Sequence, residues 1–209
     1  MVGRLESIRK LTRRSFLEAG LKGTTLFGIG GVVAEPAAAN PVVAENRSHG
    51  NDGWKPTVTS NARPSAVDHL VEGYASPTSV QPGETVDFHV STKPRERYRV
   101  DVFRLGWYAG KGGRLMTSLS ERAGISQPIP KPTAETGRVE CDWDVTDTLD
   151  VPKDWVSGTY LAKFVLTSGE KSDTFTVYPF FVQPRPDRNP RSNILVQMPI
   201  ATAQAYNGW

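Results

Sequence analysis

Five aspartates, Asp142, Asp144, Asp147, Asp150 and Asp154, fall in one short run of the chain. Carboxylates so grouped could hold calcium, which takes several carboxylate and carbonyl oxygens converging on one point. The spacing is not that of an EF-hand loop. Thr146 stands at the third ligand place, and Asp147 stands where the tight turn needs glycine. Solvated strand edges and turns account for the run more simply. Cys141 is the sole cysteine. As a nucleophile it would need a histidine and an electropositive pocket, and its sequence neighbours supply neither. The simpler reading is a small buried apolar residue. His49, His69 and His89 are scattered, without HxxxH or CxxC spacing. The sequence therefore assigns no catalytic residue, no metal ligand and no cofactor-binding residue.

A second candidate is the glycine-rich stretch with Gly106, Gly110, Gly112 and Gly113 around Trp107 and Tyr108. A phosphate loop needs four residues between its first glycine and a Gly-Lys pair, followed by Ser or Thr. Here only three residues separate Gly106 from Gly110, and Lys111 precedes Gly112. Trp107 and Tyr108 could instead form an aromatic platform for a sugar ring, so both are candidate ligand contacts. The alternative is that both rings pack against the body of the protein.

The elements that would carry these residues are strands. Val86, Phe88 and Val90 alternate with Asp87, His89 and Ser91, a period of two that puts one set on each face. Tyr98, Val100 and Val102 alternate in the same way with Arg97, Arg99 and Asp101. Lys93-Pro94 separates the two runs, which together read as an antiparallel module. Further strands are expected at His69–Tyr74, Arg114–Met116, Arg138–Trp143, Thr148–Val151, Gly158–Thr167 and Thr174–Val182. The last two are joined by a hairpin at Ser168–Lys171. Val139, Cys141 and Trp143 are expected on one face of their strand. Glu121–Thr136 carries three prolines and reads as an irregular connection. Many short strands in one compact stretch point to an all-β fold, an Ig-like β-sandwich of about seven strands spanning residues 66–183. Tyr160, at the head of the strongest strand, suits a tyrosine corner; a plain buried tyrosine is the alternative.

The ends read differently. Arg13 and Arg14, followed by Phe16 and Leu17, precede an apolar run from Leu21 to Ala34 that is too short to span a bilayer comfortably. Ala37 and Ala39 supply the small residues that a signal peptidase reads. Residues 1–39 thus resemble a twin-arginine (Tat) export leader, with Glu18 a departure from that pattern. The resemblance implies a bacterial chain handed folded to the Tat translocase, for the periplasm or beyond, with no stable membrane span once mature. The whole formal excess charge, +3, lies before Asn40, so the body is neutral and nothing favours nucleic acid as a partner. Residues 40–65 are expected to be a disordered linker. Residues 184–209 read as a stiff linker, then a strand at Ile194–Val196 that opens a truncated α/β domain.

The segments EGYASPTSVQPGETVDFHVST, YRVDVFRLGWYAGKGGR, VECDW, TLDVPKDWVSGTYLAKF and ATAQAYNGW carry a family likeness. From His69 to Trp209 they resemble the N-terminal part of proteins related to the large (beta) subunit of N,N-dimethylformamidase. The resemblance implies a β-sandwich ahead of a larger α/β domain. The characterised enzyme of that family is an amide hydrolase using a mononuclear iron held by tyrosine and carboxylate ligands of the larger domain. No matching ligand motif stands in this chain, so no residue is carried over. The expectation is an exported sandwich that is inactive by itself, with the α/β domain or sister subunits as partners. The alternative is a stand-alone extracytoplasmic binding module, with carbohydrate as the candidate ligand of Trp107 and Tyr108.

Overall fold

The computed structural model describes residues 40–55 and 69–185, together with Gln197 and Pro199. Arg13, Arg14, Phe16, Leu17, Ala37, Ala39 and the expected strand at 194–196 lie outside the described residues.

Two sheets face each other. The smaller contains β1 (Val71–Ser76), β3 (Thr85–Thr92) and β7 (Asp147–Asp150), in that order and antiparallel. The larger runs β2 (Ser79–Val80), β9 (Phe175–Val182), β8 (Gly158–Leu166), β4 (Arg97–Leu105) and β5 (Gly113–Ser118). The short β6 (Arg122–Ala123) pairs with β4, and β2 lies parallel to β9. One sheet thus takes the first, third and seventh strands, and the chain switches sheets between β1 and β2. This is the two-layer plan of an immunoglobulin-like sandwich.

Alternation explains the core. Val86, Phe88 and Val90 of β3 and Tyr160, Ala162 and Phe164 of β8 are buried, while Asp87 and His89 face away from the inter-sheet space. Phe88 meets the edges of Phe164 and Phe180 at centroid separations of 5.9 and 6.1 Å. Each such ring contributes about 1.5–3 kcal/mol through burial.

Three expectations need correction. The runs at β3 and β4 are neighbours in sequence but not in space, because they lie in different sheets. Alternation reports which face is buried, not which strand stands alongside. Second, Arg138–Trp143 is not a strand. Val139 is exposed, Cys141 half-buried and Trp143 buried, so they share no face. This stretch instead crosses the outer face of the small sheet, held by side chains. Tyr74 stacks on His89 with 4.4 Å between centroids, and the Tyr74 hydroxyl accepts from the Trp143 N–H at 3.1 Å. His89 Nδ1 donates to the Trp143 carbonyl at 2.6 Å. The Gln127 amide makes both hydrogen bonds to the Asp144 backbone, each 2.9 Å, and so replaces a ladder partner. Third, residues 40–55 are not a disordered linker. They contain a short helix, α1 (Pro41–Glu45), capped by Asn40, and then a strap of turns and bends laid on the larger sheet.

Candidate functional site

The glycine–aromatic stretch between β4 and β5 is the receiving surface for that strap. Local sequence dictates its shape. Tyr108, Ala109, Gly110 and Gly112 all take positive φ, at 40°, 54°, 89° and 81°. A non-glycine residue there costs of order 1–3 kcal/mol and persists only where the surroundings hold it. The Trp107 carbonyl accepts from the Gly110 N–H at 2.8 Å, and the Trp107 N–H donates to Asn46 Oδ1 at 2.8 Å.

The glycines leave room for strap atoms. A Cβ on Gly106 would fall 2.3 Å from Asn46 Oδ1, and one on Gly113 would fall 2.4 Å from the Trp54 ring. Trp54 lies over Gly112 and Gly113 and donates its indole N–H to the Lys111 carbonyl at 3.1 Å. Gly50 of the strap answers from the other side: a Cβ there would meet Tyr108, Lys111 and the Gly113 carbonyl within 2.8 Å. The Asn51 N–H donates to the Gly113 carbonyl at 2.9 Å, and Lys163 Nζ donates to the Gly53 carbonyl at 2.8 Å. Asp52 bonds Lys111 at 2.7 Å and Lys55 at 2.6 Å. Lys111 first, and then Lys55, pull its carboxyl down to about 2.

A polar chain runs beneath the strap. Arg114 Nη1 donates to Glu45 Oε1 at 2.6 Å, and the Tyr108 hydroxyl donates to the same oxygen at 2.9 Å. Arg104, only 2% exposed, donates from Nη1 to the Tyr108 hydroxyl at 3.0 Å and from Nη2 to the Ser157 carbonyl at 3.0 Å. Its Nε is buried and has no hydrogen-bond partner among the described residues. Burial pushes the Tyr108 hydroxyl up; its bond from Arg104 opposes this and its bond to Glu45 adds to it.

The two candidate aromatics therefore part company. Trp107 is 70% exposed, whereas Tyr108 is fully buried and its hydroxyl is engaged, so the two rings do not form a shared platform. The residues that complete this site, Glu45, Asn46, Gly50 and Trp54, fell in the stretch read as a linker. The available signal was Gly50, Gly53 and Trp54 standing close together, a miniature of the loop they meet.

The other candidates are dispersed. Cys141 is half-buried, and burial, followed by the charges of Glu72 and Asp142, pushes its thiol up to about 11. Of the acidic run, Asp147 alone is buried, between the Tyr98 hydroxyl and Arg122 Nε. Among the described residues no three His, Cys, Asp or Glu converge as metal ligands would.

Fold and site define an immunoglobulin-like β-sandwich whose glycine–aromatic loop is filled by a strap from its own N-terminal side. A family model described as N,N-dimethylformamidase beta subunit-like, C-terminal, matches residues 99–209, more than half of the chain. The chain belongs to that family. The match begins inside β4 rather than after the sandwich, so the glycine–aromatic loop lies within the family region. No curated protein matches the chain.

Proposed function

We propose that this chain is the exported β-sandwich portion of an amide-hydrolase homologue of the N,N-dimethylformamidase type. The sandwich carries and shields a larger α/β catalytic domain and does not itself hydrolyse. One observation supports this reading above the others: the family match runs from β4 through β9 and on to residue 209. The part of the sandwich from β4 onward and the segment that follows it therefore fall within one family match.

The iron that the family implies does not fit the described tyrosine–carboxylate pairs. Tyr98–Asp147 is closed by Arg122, and Tyr108–Glu45 is closed by Arg104 and Arg114. A guanidinium already neutralises each carboxylate and would repel a cation. Iron chemistry on this reading belongs to the larger domain.

The purified 209-residue chain, given iron(II) or iron(III), is expected to release no dimethylamine from dimethylformamide. Turnover by this chain alone would overturn the reading. Export is tested separately. Replacing Arg13 and Arg14 together by Lys is expected to leave the precursor in the cytoplasm. Export and cleavage near Ala39 in that variant would remove the Tat assignment and leave the accessory role standing.

A second reading rests on Trp107, a large exposed ring on a fixed loop. In a carbohydrate-binding module it would supply the stacking face. Affinity electrophoresis in soluble polysaccharides would then show retardation of the native chain that Trp107→Ala abolishes. Equal mobility of the two proteins in every gel would end that reading.

A further inference from the structure

We infer that Arg104, Tyr108 and Arg114 with the glycine sockets of the β4–β5 loop form a peptide-receptor groove anchored on a carboxylate, and that residues 40–55 are its exchangeable ligand. This inference does not depend on the hydrolase reading.

The receptor half is built from the sandwich. Arg114 and the Tyr108 hydroxyl both donate to one oxygen of Glu45, and Arg104 orients that hydroxyl from below. A guanidinium and a phenol meeting on one carboxylate oxygen are what recognition of a carboxylate requires. The Arg104 guanidinium is buried and its Nε lacks a partner among the described residues, so this polar centre is held in place at a cost. Around the anchor, Gly106 accommodates Asn46, while Gly112 and Gly113 accommodate the Trp54 ring. Three side chains of fixed spacing, Glu45, Asn46 and Trp54, are thus read by separate features of one surface.

The ligand half has the character of a bound peptide. No residue from Asn40 to Lys55 is buried; all are exposed or half-exposed. The groove beneath holds Tyr108, Phe103 and Arg104, all buried. A helix of five residues has no independent stability, so the strap keeps its form only through the groove. Its contacts are mainly hydrogen bonds, ion pairs and one indole, which places it at the low-stability end of the molecule.

The probe is a labelled peptide of residues 40–55, and the receptor is the full chain carrying Glu45→Ala and Trp54→Ala, followed by fluorescence anisotropy. The labelled peptide is expected to bind this variant saturably. It is expected to bind the native chain at least tenfold more weakly, because a tethered strap competes at an effective concentration of order millimolar. A peptide with Glu45→Gln, or a receptor that also carries Arg114→Leu, is expected to lose at least tenfold in affinity. If the variant melts cooperatively but binds no peptide, the strap is a fixed part of the domain and the inference is overturned. Equal binding of the Gln peptide overturns the carboxylate anchor. Should the variant not fold, amide exchange of the native chain decides. The Ala44, Asn46 and Asn51 amides, bonded to Asn40, Val42 and Gly113, are expected to exchange at least tenfold faster than those of β4 and β8. Exchange at the same rate as the core strands overturns the proposal.

Discussion

The Tyr160 hydroxyl donates to the Val156 carbonyl, 2.7 Å away and four residues upstream, where the chain turns into β8. The ring beside it stacks on Trp155 at 4.8 Å with planes 7° apart. This is the tyrosine corner of an immunoglobulin-like sandwich, at the loop that joins the two sheets. The hydroxyl satisfies a carbonyl that the turn leaves without a ladder partner. Tyr160→Phe keeps the ring and removes that bond, so it should cost about 1 kcal/mol. Urea unfolding with an unchanged slope would measure it. A midpoint equal to that of the native chain would show the carbonyl satisfied by water instead.

Asp147 ties the sheets together at the other end of the core. It sits on β7, and it accepts from the Tyr98 hydroxyl on β4 and from Arg122 Nε on β6. Asp147→Asn keeps the shape but presents an amide N–H₂ to one of two donors. The expected cost is about 1–3 kcal/mol, the penalty for a buried polar group left unpaired. In a double-mutant cycle with Tyr98→Phe, the two losses should fall well short of additive. Full additivity would mean that the two side chains do not act together.

Much of the fold was legible in the chain because strand alternation is a local signal. β3, β4 and β8 declare themselves through Val86-Phe88-Val90, Tyr98-Val100-Val102 and Tyr160-Ala162-Phe164. Pairing is not local, and so the separation of β3 from β4 into different sheets was invisible. Arg138–Trp143 misled because its apolar residues alternate while the Trp143 backbone bonds Tyr74 and His89, far away in sequence. The strap was missed for the related reason that Asn, Gly, Ser and Pro resemble disorder when read alone. Gly50 and Trp54 gain meaning only beside Gly112 and Gly113, and that proximity is a product of the fold. The spacing of the glycines at 106–113 marks an unusual loop, but nothing local in it tells that residues 46–54 pack there.

Cys141 should behave as a protected thiol. Burial first, then the charges of Glu72 and Asp142, push it up to about 11, against a usual value near 9. At pH 8 little thiolate is present, and the thiolate is the reacting form. Native-state alkylation by iodoacetamide should therefore run at least tenfold more slowly than alkylation of the unfolded chain, and should climb as pH rises toward 11. Alkylation at the unfolded rate at pH 8 would show that the crossing segment opens freely over the small sheet.

The ion pairs of the strap set how it responds to acid. Asp52 is exposed, yet Lys111 and then Lys55 hold its carboxyl at about 2, below its usual 3.8. A folded-state value depressed in this way gives a contribution that is complete above about pH 4 and is lost as pH falls through 2. Strap docking should therefore not draw on Asp52 titration between pH 5 and 8, and the Asp52 share of any acid release should fall between pH 4 and 2. Because the pair is open to solvent, salt should weaken it. The Asn51 amide, which donates to the Gly113 carbonyl, reports docking directly by NMR. Asp52→Asn should remove the part of its shift change that falls between pH 4 and 2, and should reduce its response to 0.5 M salt. If the two titrations superimpose, Asp52 does not hold the strap, and Glu45, Asn46 and Trp54 anchor it without help from that charge.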